Sequence, residues 1–497
     1  MEDKTLEENF GIRPAREWRK LVPASIVMRM KNIRLAAFFV GSSLTRCSQS
    51  RVLLSVLLAC LCAAYAHART VLLVSIDGLR PDYVTKADEH GLKVPNLRRM
   101  MKEGTYAEGV AGVTPTITYP SHTTLITGVW PAQHGIYANT TFDPEQKNQQ
   151  GWYWYSEDIK VMTLWDAARA AGLTTASVNW PVSVGAKINY LIPEVWRTGL
   201  ADDQKLIRAL ATSGLLSGLE GELGPYPGPL QADLPGDRAR AKFAIAILGK
   251  YKPNFMTVHL SSLDHIEHET GPFSAEANAL MEGMDELIGQ LQAAVLAADP
   301  EAVICVVSDH GFAPVTHRLN LAAAFVQQGL IKLSAAEGES SPRKVESWQA
   351  MPWISGGAVA IVLKDPHDEA LRKKTEELLQ RLAADPANGI NRVVGSEELA
   401  RLGGYPTASL LVDLKPGFQA EHDFTKPVHR DTKLGGTHGY LPEHPELRAS
   451  FFIMGSTIGK SRDLGLIDMR QIAPTLAGLL GLNLPAAQAK PLNMGTP

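Results

Sequence analysis

Five short segments of this chain carry side chains that could bind metal ions or attack a phosphate ester. They are Ser75-Ile76-Asp77-Gly78, Thr118-Tyr119-Pro120-Ser121-His122, Asp264-His265-Ile266-Glu267-His268, Ser308-Asp309-His310-Gly311 and Thr437-His438-Gly439. Singly, each is a weak signal, because an acid after a strand is often a turn former or helix cap and a lone histidine is usually structural. Among their residues, three Asp and three His lie at strand ends or near glycine, namely Asp77, Asp264, Asp309, His268, His310 and His438. These six are sufficient for two divalent ions such as Zn²⁺.

Thr118 is the candidate nucleophile. Pro120 is suited to the first turn of a helix that residues 121–127 would continue, so the Thr118 hydroxyl would lie at a helix N-terminus. Free N–H groups and the positive end of the helix dipole favour a bound phosphate at that place. Coordination to a metal would also lower the pKa of the hydroxyl. The alternative interpretation is that Thr118 only caps the helix.

The elements that must position these residues are predicted by short apolar runs that end in polar residues. Four such runs predict buried parallel strands: 70–77, 174–179, 255–264 and 302–309. Helical patterns lie between them, over 162–171 and 275–298, and strands alternating with helices indicate an α/β sandwich with a mostly parallel sheet. Ligands of such sheets bind beyond the carboxyl ends of the strands, where these runs place Asp77, Asp264 and Asp309.

Residues 343–430 predict an inserted cap subdomain within a main domain made of residues 69–342 and 431–497. The insertion contains none of the acids named above. Its pattern predicts a β-α-β-like unit, with its segments at 358–363, 368–384 and 408–414. After it, the main domain resumes with His438, a strand over 450–454 and a closing helix over 469–480.

The first 68 residues predict a leader outside the fold. Residues 51–68 combine a basic residue, an apolar run of about 14 residues and Ala66-His67-Ala68, which are the parts of a secretory signal peptide. The run is short for a membrane span, which needs about 20 residues. The alternatives are a buried helix and a lipoprotein-type cleavage box at 57–60, which would leave a membrane anchor. Cleavage predicts a periplasmic or secreted protein with no stable membrane span that keeps only Cys305, as a small core residue.

The composition predicts a globular protein that does not coat nucleic acid. The 497 residues are 45% hydrophobic and 20% charged, and Lys+Arg 49 against Asp+Glu 52 gives a net charge of -3. A protein that coats nucleic acid would show a basic excess. The expected partner is therefore a small molecule, and the sequence leaves the oligomeric state open.

The motifs, in the order in which they occur, resemble those of the nucleotide pyrophosphatase/phosphodiesterases of the alkaline phosphatase superfamily. The resemblance extends from Val71 to about Leu480. It rests on Asp77-Gly78, on Thr118-Tyr119-Pro120-Ser121-His122 with Ser121 in place of the usual Asn, on His134-Gly135-Ile136 with Asn139, and on Trp180-Pro181. It implies an alkaline-phosphatase-like α/β fold with helices on both faces of the sheet, plus the inserted cap.

The resemblance also implies a site with two zinc ions per chain. It implies that one zinc is bound by Asp264, His268 and His438, and the second by Asp77, Asp309, His310 and the Thr118 oxygen. Hydrolysis would pass through a covalent phospho-threonine at Thr118, and Asn139 would donate a hydrogen bond to a phosphoryl oxygen. His265 lies inside the Asp264–His268 spacing and is a rival candidate ligand.

The predicted function is therefore an exported two-zinc phosphodiesterase or nucleotide pyrophosphatase. Three alternatives stay open: a phosphomonoesterase, a choline- or lipid-directed phosphodiesterase, and a non-enzymatic exported metal-binding protein. No Arg lies beside Thr118, which favours diesters over monoesters. Tyr119 and the cluster Trp152-Tyr153-Trp154-Tyr155 could stack on a nucleobase, hold a quaternary ammonium group, or simply belong to the core.

Overall fold

The structure is a computed structural model that describes residues 69–145, 147, 151–195, 202–228, 231–335 and 343–495. The predicted leader and its signal peptide lie outside the described residues. Within those ranges, no helix is long and apolar enough to cross a membrane.

The strands and helices are numbered in chain order. The strands are β1 Val71–Ile76, β2 Thr105–Tyr106, β3 Gly109–Ala111, β4 Thr175–Val178, β5 Tyr190–Ile192, β6 Phe255–Leu260, β7 Val303–Val307, β8 Ala313–Leu319, β9 Ile331–Leu333, β10 Val345–Trp348, β11 Ala350–Ser355, β12 Ala358–Leu363, β13 Ile390–Gly395, β14 Leu410–Leu414, β15 Gly417–Ala420, β16 His429–Thr437, β17 Phe451–Met454, β18 Arg462–Asp463 and β19 Leu466–Asp468. The helices are α1 Asp82–Thr85, α2 Pro95–Glu103, α3 Thr118–Thr127, α4 Pro131–His134, α5 Leu164–Ala170, α6 Asp203–Leu210, α7 Leu215–Leu223, α8 Leu234–Tyr251, α9 Ser262–Thr270, α10 Ala275–Ala298, α11 Leu321–Gln327, α12 Glu369–Ala383, α13 Ser396–Arg401 and α14 Ile472–Leu479.

The central sheet has eight strands in the order β18-β2-β17-β7-β1-β6-β4-β5. Strand β1 lies in the middle and pairs in parallel with both β6 and β7, so that Val71 lies opposite Phe255 and Val303. Strand β17 is antiparallel to both of its neighbours, β7 and β2. The mostly parallel sheet predicted from the apolar runs is confirmed.

Both faces of this sheet are buried, which explains why its strands are continuously apolar rather than alternating. In β1, Leu72 and Val74 belong to one hydrophobic core, whereas Val71 and Leu73 belong to the other. Helices α2, α8 and α10 pack in the first core, and helices α3, α5 and α14 pack in the second. Burying such a side chain contributes about 1.5–3 kcal/mol, so a strand covered on both faces is held along its whole length.

The predicted strand over 255–264 is wrong at its end. Strand β6 stops at Leu260, Ser261 adopts helical backbone angles (φ -112, ψ -2), and helix α9 begins at Ser262. Asp264 therefore lies in the first turn of a helix instead of at a strand end. Asp237, which is buried, accepts a hydrogen bond from the Ser262 N–H at 2.9 Å and anchors this helix start. Because both residues belong to α9, Asp264 and His268 lie about one helical turn apart on the same face of that helix.

The predicted insertion contains a second, antiparallel sheet in the order β11-β12-β14-β13. The predicted helix is present as α12, with Asp368 as its N-cap. The unit is larger than the β-α-β pattern predicted, because β11, β13 and α13 join it. The last strands of the predicted insertion do not belong to this sheet. Strands β15 and β16 pair instead with β8 in a separate three-stranded sheet, and β16 continues past residue 430, where the insertion was predicted to end.

Candidate active site

The predicted metal ligands meet at the carboxyl ends of the central strands. Asp77 directly follows β1, and its N–H donates to the Leu260 carbonyl at the end of β6. The N–H of Gly78 donates to Asp309 Oδ1 at 3.2 Å, which joins the end of β1 to the segment after β7. Gly78 has φ +75, and a Cβ there would lie 2.9 Å from Glu267 Oε2, so this close approach requires glycine.

Asp264, His268 and His438 form the first group. The Nε2 atoms of His268 and His438 each lie 3.5 Å from Asp264 Oδ1. The Nδ1 of His268 is 3.1 Å from the Gly436 carbonyl, and the Nδ1 of His438 is 3.1 Å from the Thr116 carbonyl. A carbonyl only accepts, so each Nδ1 carries a hydrogen and donates it, and each Nε2 faces Asp264 Oδ1. This arrangement is typical of histidines that bind metals.

Asp77, Asp309 and His310 form the second group. His310 Nε2 lies 3.3 Å from Asp77 Oδ1 and 3.1 Å from Asp309 Oδ2, and its Nδ1 is 3.1 Å from the Gly311 carbonyl. The ligand atoms of these three residues, and also those of Asp264, His310 and His438, lie within 4.8 Å of one another. His310 therefore adjoins both groups, and its ring stacks on that of His438 at 3.7 Å between centroids.

The donor atoms of these groups fit metal ions. Four of them are buried without a hydrogen-bond partner: Asp77 Oδ1, Asp264 Oδ1, Asp309 Oδ2 and His310 Nε2. Leaving such atoms unpaired is costly unless a ligand satisfies them. Donors of a tetrahedral ion with bonds of 2.0–2.1 Å lie roughly 3.3 Å apart, close to the separations seen here. Carboxylate oxygen and imidazole nitrogen are donors that suit Zn²⁺.

The electrostatics of the site also favour cations. Burial, followed by the neighbouring carboxylates of Asp309 and Asp264, raises the pKa of Asp77 well above its usual value. Burial lowers the pKa of His310, but the carboxylates of Asp309 and Asp77 outweigh burial and raise it to about 9. Three carboxylates crowded in a buried place repel one another, and positive charge between them removes that cost.

Thr118 lies beside these groups and does not cap its helix. It is the first residue of α3, the N-cap is Ile117, and no side chain makes a capping hydrogen bond. Thr118 lines one pocket together with Asp77, Asn139, Asp264 and His438. Thr118 therefore shares a pocket with members of both groups, and the N-cap position of α3 belongs to Ile117 instead.

Asn139 completes the helix start. Its Oδ1 accepts a hydrogen bond from the Tyr119 N–H at 2.9 Å. Because the oxygen is used in this way, the amide NH₂ of Asn139 remains as a donor in the pocket next to Thr118.

Helix α3 is fixed against β1 by His122, whose role the sequence did not indicate. His122 is completely buried, with Nδ1 2.8 Å from the Thr118 carbonyl and Nε2 2.9 Å from Ser75 Oγ. Burial lowers the pKa of His122 to about 3, so the ring is neutral. Trp180, from the Trp-Pro motif, packs edge-on against this ring at 4.9 Å.

Sequence reasoning missed His259 and Glu194. His259 Nε2 lies 3.0 Å from Asp77 Oδ2, and its Nδ1 lies 2.7 Å from Glu194 Oε2. Burial alone would lower the pKa of His259, but Glu194 and Asp77 outweigh it and raise it well above its usual value. The bond to Oδ2 orients the carboxylate of Asp77 so that Oδ1 faces His310.

The remaining predicted residues lie at the edges of the site. Tyr119 is 1% exposed and its ring lies 5.3 Å from that of Trp152, which also lines the pocket. His265 is half exposed at the pocket rim, 3.7 Å from Glu269, and belongs to neither metal group. Ser121 is buried in α3 and does not line the pocket.

Comparisons with known proteins bear on this site. The sequence profile of the type I phosphodiesterase / nucleotide pyrophosphatase family matches residues 71–441. Human ectonucleotide pyrophosphatase/phosphodiesterase family member 1 is 26% identical over 262 residues, which are 50% of this chain and 24% of that protein. Venom phosphodiesterase CdcPDE of Crotalus durissus collilineatus is 25% identical over 440 residues, 85% of this chain and 45% of its own length. The chain thus spans less than half the length of either relative.

Two solved structures show the same fold. Human ectonucleotide pyrophosphatase/phosphodiesterase 5 superposes with a TM-score of 0.60 at 20% identity, covering 85% of this chain and 96% of that one. Its murine counterpart, an inactive threonine-to-alanine variant in complex with AMP, gives a TM-score of 0.60 at 20% identity and covers 97% of that chain. The architecture is an alkaline-phosphatase-like fold, as in these two structures. Within that class, the chain belongs to the type I phosphodiesterase/nucleotide pyrophosphatase family.

Proposed function

We propose that this protein is a zinc-dependent phosphodiesterase or nucleotide pyrophosphatase that uses Thr118 as its nucleophile. The observation that carries the proposal is that Thr118, which does not cap its helix, lines one pocket with the first group and with Asp77 of the second. Membership of the family supports the same reaction class.

In this proposal, each group of donors holds one zinc ion. Asp264, His268 and His438 hold the first. Asp77, Asp309, His310 and the Thr118 oxygen hold the second. When bound, the two ions supply charge that stabilises the attacking and leaving oxygens of an in-line displacement.

Thr118 performs the first displacement. Its Oγ1 forms a bond to phosphorus while the bond to the leaving ester or phosphoanhydride oxygen breaks, which leaves phospho-threonine. Water then attacks the same phosphorus and the bond from phosphorus to Oγ1 breaks. The proton released by Thr118 in the first step goes to the leaving oxygen and one proton of the water goes to Oγ1, so that the two steps together add one water to the substrate. Helix α3 directs its positive N-terminal end at the phosphoryl group throughout.

Asn139 stabilises the transition state. Its NH₂ donates to a phosphoryl oxygen on which negative charge increases as the bond to Thr118 forms. The hydrogen bond from the Tyr119 N–H to Oδ1 holds the amide in this orientation before substrate arrives.

The pocket lacks cationic side chains, which favours substrates whose reacting phosphoryl group carries a single negative charge. Among the described residues that line it, none is Lys or Arg, and Glu194 adds a further carboxylate. A phosphomonoester carries more negative charge and would need additional cationic side chains. A diester or a phosphoanhydride link is therefore the better fit.

Trp152, which packs on the buried ring of Tyr119, forms the aromatic part of the pocket that would receive the rest of the substrate. Their rings lie 5.3 Å apart and are tilted by 56°. Stacking on a nucleobase is consistent with the AMP held by the murine relative. We propose a nucleotide-containing substrate on this basis.

The predicted insertion reaches the site directly, and we propose that it acts as a supporting cap. The N–H of Gly357 donates to the His438 carbonyl at 2.8 Å. Gly439 has φ +86, and a Cβ there would lie 1.6 Å from the Ser355 carbonyl oxygen, so β11 and β12 approach the chain beside His438 as closely as glycine allows.

We also propose that the protein is exported after removal of residues 1–68. Strand β1 begins at Val71, soon after the proposed cleavage site at Ala68. Mass spectrometry of the natively exported protein should find an N-terminus near Arg69, and an intact Met1 would contradict the proposal.

The experiment that tests the function compares substrates and metal states of the purified chain. Bis(4-nitrophenyl) phosphate should be hydrolysed much faster than 4-nitrophenyl phosphate, and a dinucleotide or ATP faster than a choline phosphodiester. Chelation should abolish hydrolysis and zinc should restore it. Equal or greater turnover of the monoester, or full activity in protein shown to be free of metal by elemental analysis, would contradict the proposal.

A further inference from the structure

A third Asp/His group lies outside the active site. It consists of His317 on β8 and of His429 and Asp431 on β16, and one ligand atom from each lies within 4.8 Å of the others. His317 Nδ1 is 2.9 Å from Asp431 Oδ1, and the rings of His317 and His429 are 5.8 Å apart between centroids. The group is neither part of the active site nor explained by the proposed reaction.

Two paired strands hold the three side chains on one face. In the antiparallel ladder, Asp431 lies opposite His317, and His429 precedes Asp431 by two positions on the same strand. Side chains two positions apart on a strand share a face, so all three converge. A site built on paired strands needs little reorganisation to receive an ion.

The neighbouring arginine side chains do not share the face of the sheet that carries His317, His429 and Asp431. The next pair in the ladder, Arg318 and Arg430, alternates to the other face of the sheet. There the guanidinium of Arg430 donates to Glu421 Oε2 at 2.9 Å. The positive charges closest in sequence are therefore turned away from the three ligands.

A plain structural role accounts for only part of this group. A hydrogen bond between His317 and Asp431 could form on any solvated sheet. The imidazole of His429, however, makes no hydrogen bond to any described residue. Phe418 stacks on His317 at 4.7 Å and lies 6.2 Å from the His429 ring, so an apolar side chain covers one flank of the imidazoles. Two imidazoles and one carboxylate beside an open, solvated side form the donor set of a three-ligand zinc site.

We propose that His317, His429 and Asp431 bind a third divalent ion, with zinc as the metal of choice and water in the remaining coordination position. The site is distinct from the active site but connected to it by the same two strands. Strand β8 begins just after His310, and β16 ends next to His438. An ion that joins the far ends of β8 and β16 would tie together the ladder, which is interrupted by a bulge between Asp431 and Gly435. Its role would be to stabilise that ladder rather than to take part in the reaction.

The test counts zinc in the full-length protein and in a variant that lacks one ligand. Apo-protein is dialysed against buffered micromolar free zinc, and bound zinc is measured by elemental analysis for wild type, His429→Gln and the control His367→Gln. His367 is an exposed histidine outside every cluster of metal donors in the described chain. We expect His429→Gln to bind one zinc fewer per chain than wild type and His367→Gln to match wild type.

Two further measurements separate this site from the active site. Zinc should raise the melting temperature of wild type by more than that of His429→Gln, since an ion that binds only the folded state stabilises it. Diester hydrolysis by zinc-loaded His429→Gln should equal that of wild type at a temperature where both are folded. The zinc count does not depend on what the active site hydrolyses, so a failure of the proposed function would leave this test intact. Equal zinc stoichiometry in wild type and in a folded His429→Gln, confirmed with His317→Gln, would overturn the proposal.

Discussion

Replacing Glu194 by Gln tests whether the buried hydrogen bonds that connect Glu194 through His259 to Asp77 control metal binding. Glu194 lies 2.7 Å from His259 Nδ1, and His259 Nε2 lies 3.0 Å from Asp77 Oδ2. The side chains of Glu194 and His259 are 7% and 2% exposed, so solvent screens this interaction little. Glu194 makes no hydrogen bond to any of the predicted metal ligands, and its hydrogen-bonded connection to Asp77 runs through His259.

The expected magnitude follows from what glutamine keeps and what it loses. Glutamine retains a carbonyl that can accept from Nδ1, but it removes the negative charge that favours the protonated ring. A hydrogen bond with one ionised partner is roughly twice as strong as a neutral one. Changes to groups that orient a metal ligand typically reduce metal affinity 10- to 100-fold, or about 1.4–2.8 kcal/mol. We expect a loss of that size in the zinc affinity of the Asp77 group.

The assay is a competition between apo-protein and a chelator of known zinc affinity, combined with diester hydrolysis at increasing free zinc. Glu194→Gln should need more zinc for half-maximal activity but approach wild-type turnover at saturation. Glu220→Gln is the matched control, because it removes a carboxylate paired with Arg208 outside the site. Wild-type zinc affinity in a folded Glu194→Gln variant would refute the positioning role of Glu194 and His259.

Two other predictions follow from the site and from the core. Asn139→Asp keeps an acceptor for the Tyr119 N–H but loses the NH₂ donor, so kcat for a diester should fall by about 10²–10³ while the melting temperature stays near that of wild type; an unchanged kcat would exclude Asn139 from transition-state stabilisation. Burial lowers the pKa of His134 to about 3, whereas an unfolded histidine titrates near 6.5, so between these values the unfolded chain binds the extra proton and stability falls as the pH is lowered. Urea unfolding should be measured between pH 6 and pH 4.5 for wild type and His134→Gln. The free energy of unfolding should fall less steeply with decreasing pH in His134→Gln than in wild type, by up to about 1.4 kcal/mol per pH unit, and identical slopes in the two proteins would contradict a neutral buried His134.

Much of the fold, and the proximity of the candidate site residues to one another, was predictable because these residues lie in short local motifs at the ends of apolar strands. Asp77 and Asp309 follow buried parallel strands, and parallel strands bring such residues to one edge of the sheet. The error at Asp264 has the same local origin, since Ser261-Ser262 is compatible with either a strand end or a helix start. Only the backbone of Ser261 in the folded chain decides between them.

The residues behind the site were not predictable from local pattern. Glu194 is 65 residues from His259, and His259 is 182 residues from Asp77, so no motif joins them. One signal was present: His259 interrupts the apolar run of β6 near its carboxyl end, where a buried histidine needs a partner. The joining of His317 to Asp431 across 114 residues likewise depends on the ladder between β8 and β16.

The most direct test of the central claim is diester hydrolysis by zinc-loaded Thr118→Ala, compared with Thr118→Ser and wild type. The alanine variant loses the attacking oxygen but none of the six Asp and His ligands, and Thr118 makes no capping hydrogen bond whose loss would unfold α3. Its activity should fall by several orders of magnitude at largely unchanged metal content, whereas the serine variant, which keeps the oxygen, should retain substantial turnover. Near-wild-type turnover by a folded, metal-loaded Thr118→Ala would show that water attacks the phosphorus directly, and would contradict a covalent phospho-threonine.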